Sequence, residues 1–526
     1  MSKTNTARTQ YHSIKGQSAD LRYHGDDVPD PYAELGKVEA EVDKVTVILA
    51  GLLNRVNYLK AQINVSNSPF LRMLPSEIIA EIFTLSLGVP APDQDLGDVD
   101  NTVPLKLGAV CNAFRTIAWS TPRLWATVIL DIKSAWKIAA QATLLFDWLS
   151  RSGHLPLLIW LNSTEEVHWT SEQILKVINV FCDRWKYVDI RLPSSCYQYL
   201  PSSDESLPML ESLTLKPPGG QGDRSHRIHI RNAPNLRYIT LQCLYLRSIR
   251  FQWHVLTVLD LESFYIDESL EIFRQASNLV DLYVRRILGG DDNHALPSEP
   301  IVMPSLSSLT FINDKATDLS TMLDMLTLPA LRSLSFSAEG TAPCLSLARV
   351  IQRSSCRLAS LTLKHWSRVD PEFVSLLSCT PSIKELCLEM FDTTTPTSRL
   401  EVASLTDDVL QLFISRENGQ DHFLPNLEML SYTGLRQFTW AKMFQMIESR
   451  TVGTSTSGSL SESTPNELRQ SDIDPVSTRP VPVNLRAITL CLTLSSEEEV
   501  AAIPPFELFC GRDTGLKWCL ETVVKI

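Results

Sequence analysis

One phrase, L-x-x-L-x-L with Ile, Val, Phe or Tyr in some of its apolar places, returns ten times along this chain, and no other feature restricts its fold as tightly. It reads LESLTL from Leu210, LRYITL from Leu236, LTVLDL from Leu256, LVDLYV from Leu279 and LSSLTF from Leu306. LRSLSF from Leu331, LASLTL from Leu358, IKELCL from Ile383, LEMLSY from Leu427 and LRAITL from Leu485 complete the series. The last two apolar positions stand two residues apart, so on a strand both face one way while the residues between them face the other. As far as Ile383 the starts lie roughly 20 to 27 residues apart. One such unit cannot bury its apolar side, but neighbours stacked in register share a continuous core.

Between the phrases come segments with helical spacing, among them DESLEIFRQAS, DLSTMLDMLTL, CLSLARVIQRS and DPEFVSLLSCT. The alternation begins earlier, with strands in LWATVILDI, LPLLIWL and YVDIRL. SAWKIAAQATLLFDWLSRSG reads as a helix, its Trp136, Ala140, Leu144 and Trp148 four apart and Gly153 placed to cap it. A second helix carries Ile174, Ile178 and Phe181, with Thr170 and Gln173 as its capping box. Two stretches interrupt the period. One is Phe391 to Phe423, with FDTTTPTSRL and the helical TDDVLQLFIS. The other holds the helical FTWAKMFQMIES and then an insert near 451–480, rich in Ser, Thr and Pro, which is read as disordered. The predicted class is α/β. The period and phrase resemble leucine-rich repeats, which implies a solenoid over 126–526 with strands on one face, helices on the other and a short terminal cap. Asparagine is missing three residues after the phrases, where Leu244, Glu339 and Phe391 stand, so the solenoid is expected to be irregular.

A different pattern occupies Phe70 to Trp125. Pro75 suits a first helical position and Glu77 suits the positive end of a helix. Leu74, Ile78 and Ile82 recur every four residues with Ile79 and Phe83 beside them, an apolar stripe wider than a short helix needs. Leu107, Val110, Phe114 and Ile117 share helical spacing, and Thr121 and Pro122 stop that segment before Leu124 and Trp125. The order L-P-x-E-I-I-x-x-I-F, L-x-x-V-C-x-x-F-R-x-I-A, T-P-x-L-W resembles the F-box of fungal F-box proteins. The resemblance implies a three-helix module at 70–125 that docks on the Skp-type adaptor of SCF ubiquitin ligases, and through it on a cullin. The adaptor-facing residues it implies are Leu74, Pro75, Ile78, Ile82, Phe83, Val110, Cys111 and Phe114. Phe114 stands where the family more often has Trp, and the link from Gly88 to Val103 is lengthened with four aspartates and two prolines. Read without the resemblance, the same stripe is a helical subdomain packed on its own chain.

Residues 1–37 show no sustained period and are read as a disordered leader. Over 38–66, Val38, Val42, Val45, Leu49, Leu52, Val56, Leu59 and Ile63 alternate steps of four and three, a heptad helix. It serves either to pair two chains or to fold back on its own chain, the preferred reading because Gly51 weakens a free-standing coil.

Composition narrows the function by exclusion. A net charge of -12 over 526 residues argues against a nucleic-acid binder, and no apolar run is long enough for a membrane span. The N-terminus lacks the apolar core of a signal peptide, so a cytoplasmic or nuclear protein is expected. Eleven cysteines without a C-x-x-C pair indicate neither a zinc site nor a disulfide framework. No phosphate-binding, nucleophile-elbow or zincin motif is present, so no catalytic residue, metal or cofactor is expected. His226 and His229 stand three apart with no third ligand, and are read as ordinary histidines.

Outward positions on the strands include Arg237, Tyr238, Asp260, Asp281, Tyr283, Arg332, Lys384, Glu385 and Arg486. Tyrosine and arginine are common interface anchors, so Tyr238, Tyr283 and Arg332 are the candidate contacts to a target protein. The plainer reading leaves them as solvated strand residues. Together these features point to a substrate-receptor subunit of an SCF-type ubiquitin ligase. A repeat scaffold acting outside such a ligase is the alternative.

Overall fold

The structure, a computed structural model, describes residues 31–67, 69–88, 102–132, 137–163, 171–201, 205–218, 227–290, 294–313, 317–340, 343–366, 371–389, 405–414, 423–451, 485–494 and 517–524. The leader up to residue 30, the insert after Thr451, nearly all of the acidic link after Gly88, and Trp136, Thr170 and His226 lie outside these. The chain divides into one unit of Met1–Phe83 with Leu105–Ala118 and another of Thr84–Pro104 with Trp119–Ile526.

Five helices supply the described part of the first unit: α1 (Pro31–Asn67), α2 (Pro69–Met73), α3 (Ser76–Leu85), α4 (Val103–Val110) and α5 (Asn112–Trp119). The heptad helix expected from Val38 therefore starts at Pro31, which has no N–H to leave unpaired, and Glu34 lies in its first turn. The expected leader is helical from Pro31 on. Pro75 sits just ahead of α3 rather than in its first turn, its carbonyl accepting from Ile78 at 3.1 Å and Ile79 at 3.2 Å. The single helix expected through Leu107, Val110, Phe114 and Ile117 is two, broken at Cys111. Side chains take the groups that a continuous helix would have paired: the Phe114 N–H donates to Cys111 Sγ at 3.4 Å, and Arg115 Nε to the Gly108 carbonyl at 2.9 Å.

The second unit opens with a short 3-10 turn, Pro122–Trp125, then β1 (Thr127–Asp131), α6 (Ile138–Arg151), β2 (Leu157–Asn162), α7 (Ser171–Asn179) and β3 (Trp185–Arg191). Gly153, at φ +62°, ends α6 in the left-handed conformation that glycine adopts without penalty. The chain continues with β4 (Ser212–Leu215), β5 (Ile228–His229), β6 (Tyr238–Gln242), β7 (Ile249–Arg250), β8 (Val258–Glu262), α8 (Ile266–Gln275) and β9 (Asp281–Arg285). Next come β10 (Ile301–Val302), β11 (Ser308–Asn313), α9 (Thr317–Asp324), β12 (Leu326–Thr327), β13 (Ser333–Gly340), α10 (Cys344–Ser354), β14 (Ser360–Trp366), α11 (Pro371–Ser378) and β15 (Glu385–Glu389). The last described elements are β16 (Leu405–Thr406), α12 (Asp407–Phe413), β17 (Met429–Gln437), α13 (Trp440–Thr451), β18 (Ala487–Leu494) and β19 (Lys517–Val524).

Each of the ten phrases contains a strand, and all ten lie in one 15-stranded sheet in the order β1-β2-β3-β4-β6-β8-β9-β11-β13-β14-β15-β17-β18-β19, with β16 beside β17. Neighbours pair in parallel and nearly all in unbroken register, Leu213 opposite Ile239, Ile239 opposite Leu259, Leu259 opposite Leu282. Three positions of every phrase are buried as columns. Leu210, Leu213 and Leu215 are each 0% exposed, and their equivalents Leu358, Leu361 and Leu363 are too. A parallel sheet needs a crossover between strands, and α8, α10 and α11 supply it, each with its apolar side buried. The fold is mixed α/β around one long parallel sheet.

At three strand ends that lack an asparagine the backbone itself makes the connection, whereas Glu339 lies within β13 and Phe391 outside the described residues. Cys243, Ser263 and Arg286, the residues that follow β6, β8 and β9, adopt φ of 50°, 59° and 50°. Their N–H groups donate to the carbonyls of Glu262, Arg285 and Ile312 in the next strand, at 2.9, 2.9 and 2.8 Å. Left-handed turns and backbone rungs thus pair the strand ends, and Leu244 is free to be buried.

Candidate functional site

Two surfaces carry the residues singled out by sequence, one on each unit. On the first unit, α3 presents two apolar ridges, because residues four apart fall on one side of a helix. Ile79 and Phe83 point inward, 1% and 3% exposed, whereas Ile78 and Ile82 are 48% and 40% exposed. The inward ridge is closed by aromatic packing: Phe114 lies 4.9 Å from Phe83 and 5.7 Å from Phe70, both pairs inclined as aromatic quadrupoles prefer. Phe83, expected to face a partner, is therefore a core residue here, since Phe114 covers it. Phe114 and Leu74 are half-buried, and Leu74 stands in the break before α3 instead of on its stripe. Pro75 is exposed, Val110 is 62% exposed at the end of α4, and Cys111 is half-buried at the break that follows. An open hollow lined by Tyr58, Leu59, Gln62, Arg72 and Asn112 lies where α1 runs by α2 and α5.

The second surface is the side of the sheet opposite the buried columns. Strand register arranges its residues in rows. One row holds Tyr187, Ser212, Tyr238, Val258, Asp281 and Ser308. The next holds Trp160, Asp189, Thr214, Thr240, Asp260, Tyr283 and Thr310. Tyr238 and Tyr283 are half-buried on adjacent rows with β8 between their strands. Arg332 is exposed at the entry to β13, two strands beyond Tyr283 and about 10 Å across the sheet. The three candidates are thus spread over the surface and do not form one cluster.

Asp260 departs from the expected outward, solvated role. It is 3% exposed, and Arg285 on β9 reaches over it, Nη2 to Oδ2 at 3.1 Å. Asp189, 2% exposed, is held the same way by Arg191, with contacts of 3.2 and 3.0 Å that make a two-pronged pair. A charge row lies along the strand entries, where Lys384 and Arg486 both pair with Glu428, at 3.0 and 3.1 Å.

Sequence reading passed over the aromatic end of this face. Tyr187 packs on Trp160 with ring centroids 4.8 Å apart, and burial, assisted by Asp189, pushes its phenol up to about 12. The signal was present in YVDIRL, whose alternation puts Tyr187, Asp189 and Arg191 on one side. His229 lies in the two-residue β5, and burial with Arg250, Arg231 and Arg227 lowers its pKa. No group of residues able to hold a metal occurs among the described residues. No helix among them is long and apolar enough to cross a membrane. No protein-family profile matches the chain, and no curated protein matches it.

Proposed function

We propose that this chain is a substrate-receptor subunit of an SCF-type cullin-RING ubiquitin ligase. In this reading an F-box binds the Skp-type adaptor, and an irregular leucine-rich-repeat solenoid holds a target protein. The observation that carries it is the division of α3. A helix that only packs on its own chain hides its apolar side, yet Ile78 and Ile82 stay exposed beside the buried Ile79 and Phe83. Both exposed residues fall in the ordered signature that resembles an F-box, as do the exposed Pro75 and Val110. The repeat half of the reading is supported by ten phrases that stack as parallel strands in one sheet. No bond chemistry is assigned to this chain; it supplies proximity between a target and the enzymes that modify it. Such a subunit works in the cytoplasm or nucleus.

The alternative, a leucine-rich-repeat scaffold acting outside a ligase, is favoured by one contact, the packing of Phe83 on Phe114. Two of the eight expected adaptor contacts are spent there on internal packing. Co-purification with the Skp-type adaptor separates the two readings. Wild-type chain should retain the adaptor, and Ile78→Asp with Ile82→Asp should lose about a hundredfold or more in affinity, since each isoleucine contributes about 1.5–3 kcal/mol when buried. The two positions are exposed, so the urea midpoint of the free chain should hardly move. If the wild type fails to retain the adaptor, the ligase reading falls and the scaffold stands.

A further inference from the structure

Helix α1 is 37 residues long, about 55 Å, and does not bury its apolar stripe as the fold-back reading expects. Leu35, Val38, Val42, Val45, Leu49, Leu52, Val56 and Leu59 occupy alternating heptad core positions, and all are between 43% and 62% exposed. We propose that α1 pairs with α1 of a second copy of this chain, as an antiparallel two-stranded coiled coil. This goes beyond the function proposed above and does not rest on it.

Charge selects the occupant and its direction. With Leu35, Val42, Leu49 and Val56 at a and Val38, Val45, Leu52 and Leu59 at d, the flanking g positions are Glu34, Glu41, Ile48 and Arg55. The flanking e positions are Glu39, Thr46, Leu53 and Lys60. The flanks are acidic in the first half of the helix and basic in the second. A parallel pair sets each g residue against the e residue five further on in its partner. That would place Glu34 against Glu39 and Arg55 against Lys60, two like-charge contacts. An antiparallel pair brings g residues together from opposite ends of the helices. In the register that layers Leu35 on Leu59, Val38 on Val56, Val42 on Leu52 and Val45 on Leu49, Glu41 meets Arg55 twice by symmetry. The same register puts Ile48 opposite its own copy at the two-fold axis, where an apolar flank is compatible with its surroundings. Gly51 falls at a c position, away from the seam, so its cost is to helix propensity and not to packing.

Sedimentation equilibrium of the full chain from nanomolar to tens of micromolar tests this. The wild type should show a reversible monomer–dimer equilibrium, and Val45→Asp with Leu49→Asp should be monomeric. Arg55→Glu should weaken the dimer about tenfold, and Glu41→Arg added to it should restore the wild-type constant. In a parallel pair Arg55→Glu would instead face Lys60 and tighten the dimer, so tightening overturns the proposal. A wild type that stays monomeric also overturns it, as does a dimer that survives the two aspartates.

Discussion

Tyr432 stands at the last apolar position of its phrase, where most strands carry leucine or phenylalanine, and is 0% exposed. Its hydroxyl donates to the Leu435 carbonyl at 2.6 Å and accepts from the Leu405 N–H at 3.1 Å, so a polar atom in the core is matched on both sides. Burial pushes this phenol up to about 12, as it does for Tyr187. Between about pH 10 and 12 the unfolded chain has given up protons that the fold still holds. Stability from these groups is therefore complete below about 10 and falls as pH rises towards 12. Tyr432→Phe should cost about 1–2 kcal/mol in urea melts at pH 7 and make the alkaline decline shallower; an unchanged decline would mean that Tyr432 does not titrate with unfolding. Asp260 and Phe83 show what sequence pattern leaves unsaid about single residues. Alternation along a strand fixes the face by which a side chain leaves, but not whether an arginine from the neighbouring strand covers it. Helical spacing likewise could not tell which of the two ridges on α3 would find Phe114.

Among elements, the end of α10 gives the clearest case of local backbone cost. Ser355 caps that helix at φ 49° and ψ 31°, its N–H donating to the Gln352 carbonyl at 3.2 Å. Serine pays a steric penalty in this left-handed conformation that glycine does not. Ser355 is exposed, so Ser355→Gly should raise stability by about 0.5–1 kcal/mol, read as a higher melting temperature, while Ser355→Val should lower it. The ten strands, their order and α8, α10, α11 and α13 were legible because each repeats a period that burial enforces. The two-residue strands β5, β7, β10, β12 and β16 were not, since two residues carry no period and form only because a neighbouring strand end lies alongside. The break at Cys111 was hidden for a different reason. The apolar spacing runs straight through it, and the groups that interrupt the ladder are the Cys111 thiol and the Arg115 guanidinium.

For the molecule as a whole, the sheet of the second unit extends by adding neighbours, so each interior strand is stabilised from both sides and, among the described residues, the end strands β1 and β19 from one. Opening should then begin at the ends. In hydrogen exchange, amides of β11, β13 and β14 should exchange slowest, and those of β1 and β19 at least about tenfold faster. Phe336 tests the coupling: it is 1% exposed in β13, in register with Phe311 on one side and Leu363 on the other. Phe336→Ala removes about 3–5 kcal/mol of packing, and because the loss lies at one rung it should speed exchange in β11 and β14 well before β1 to β3 respond. An equal acceleration in every strand would show that the sheet opens as one cooperative body, and the neighbour-by-neighbour account of its stability would have to be given up.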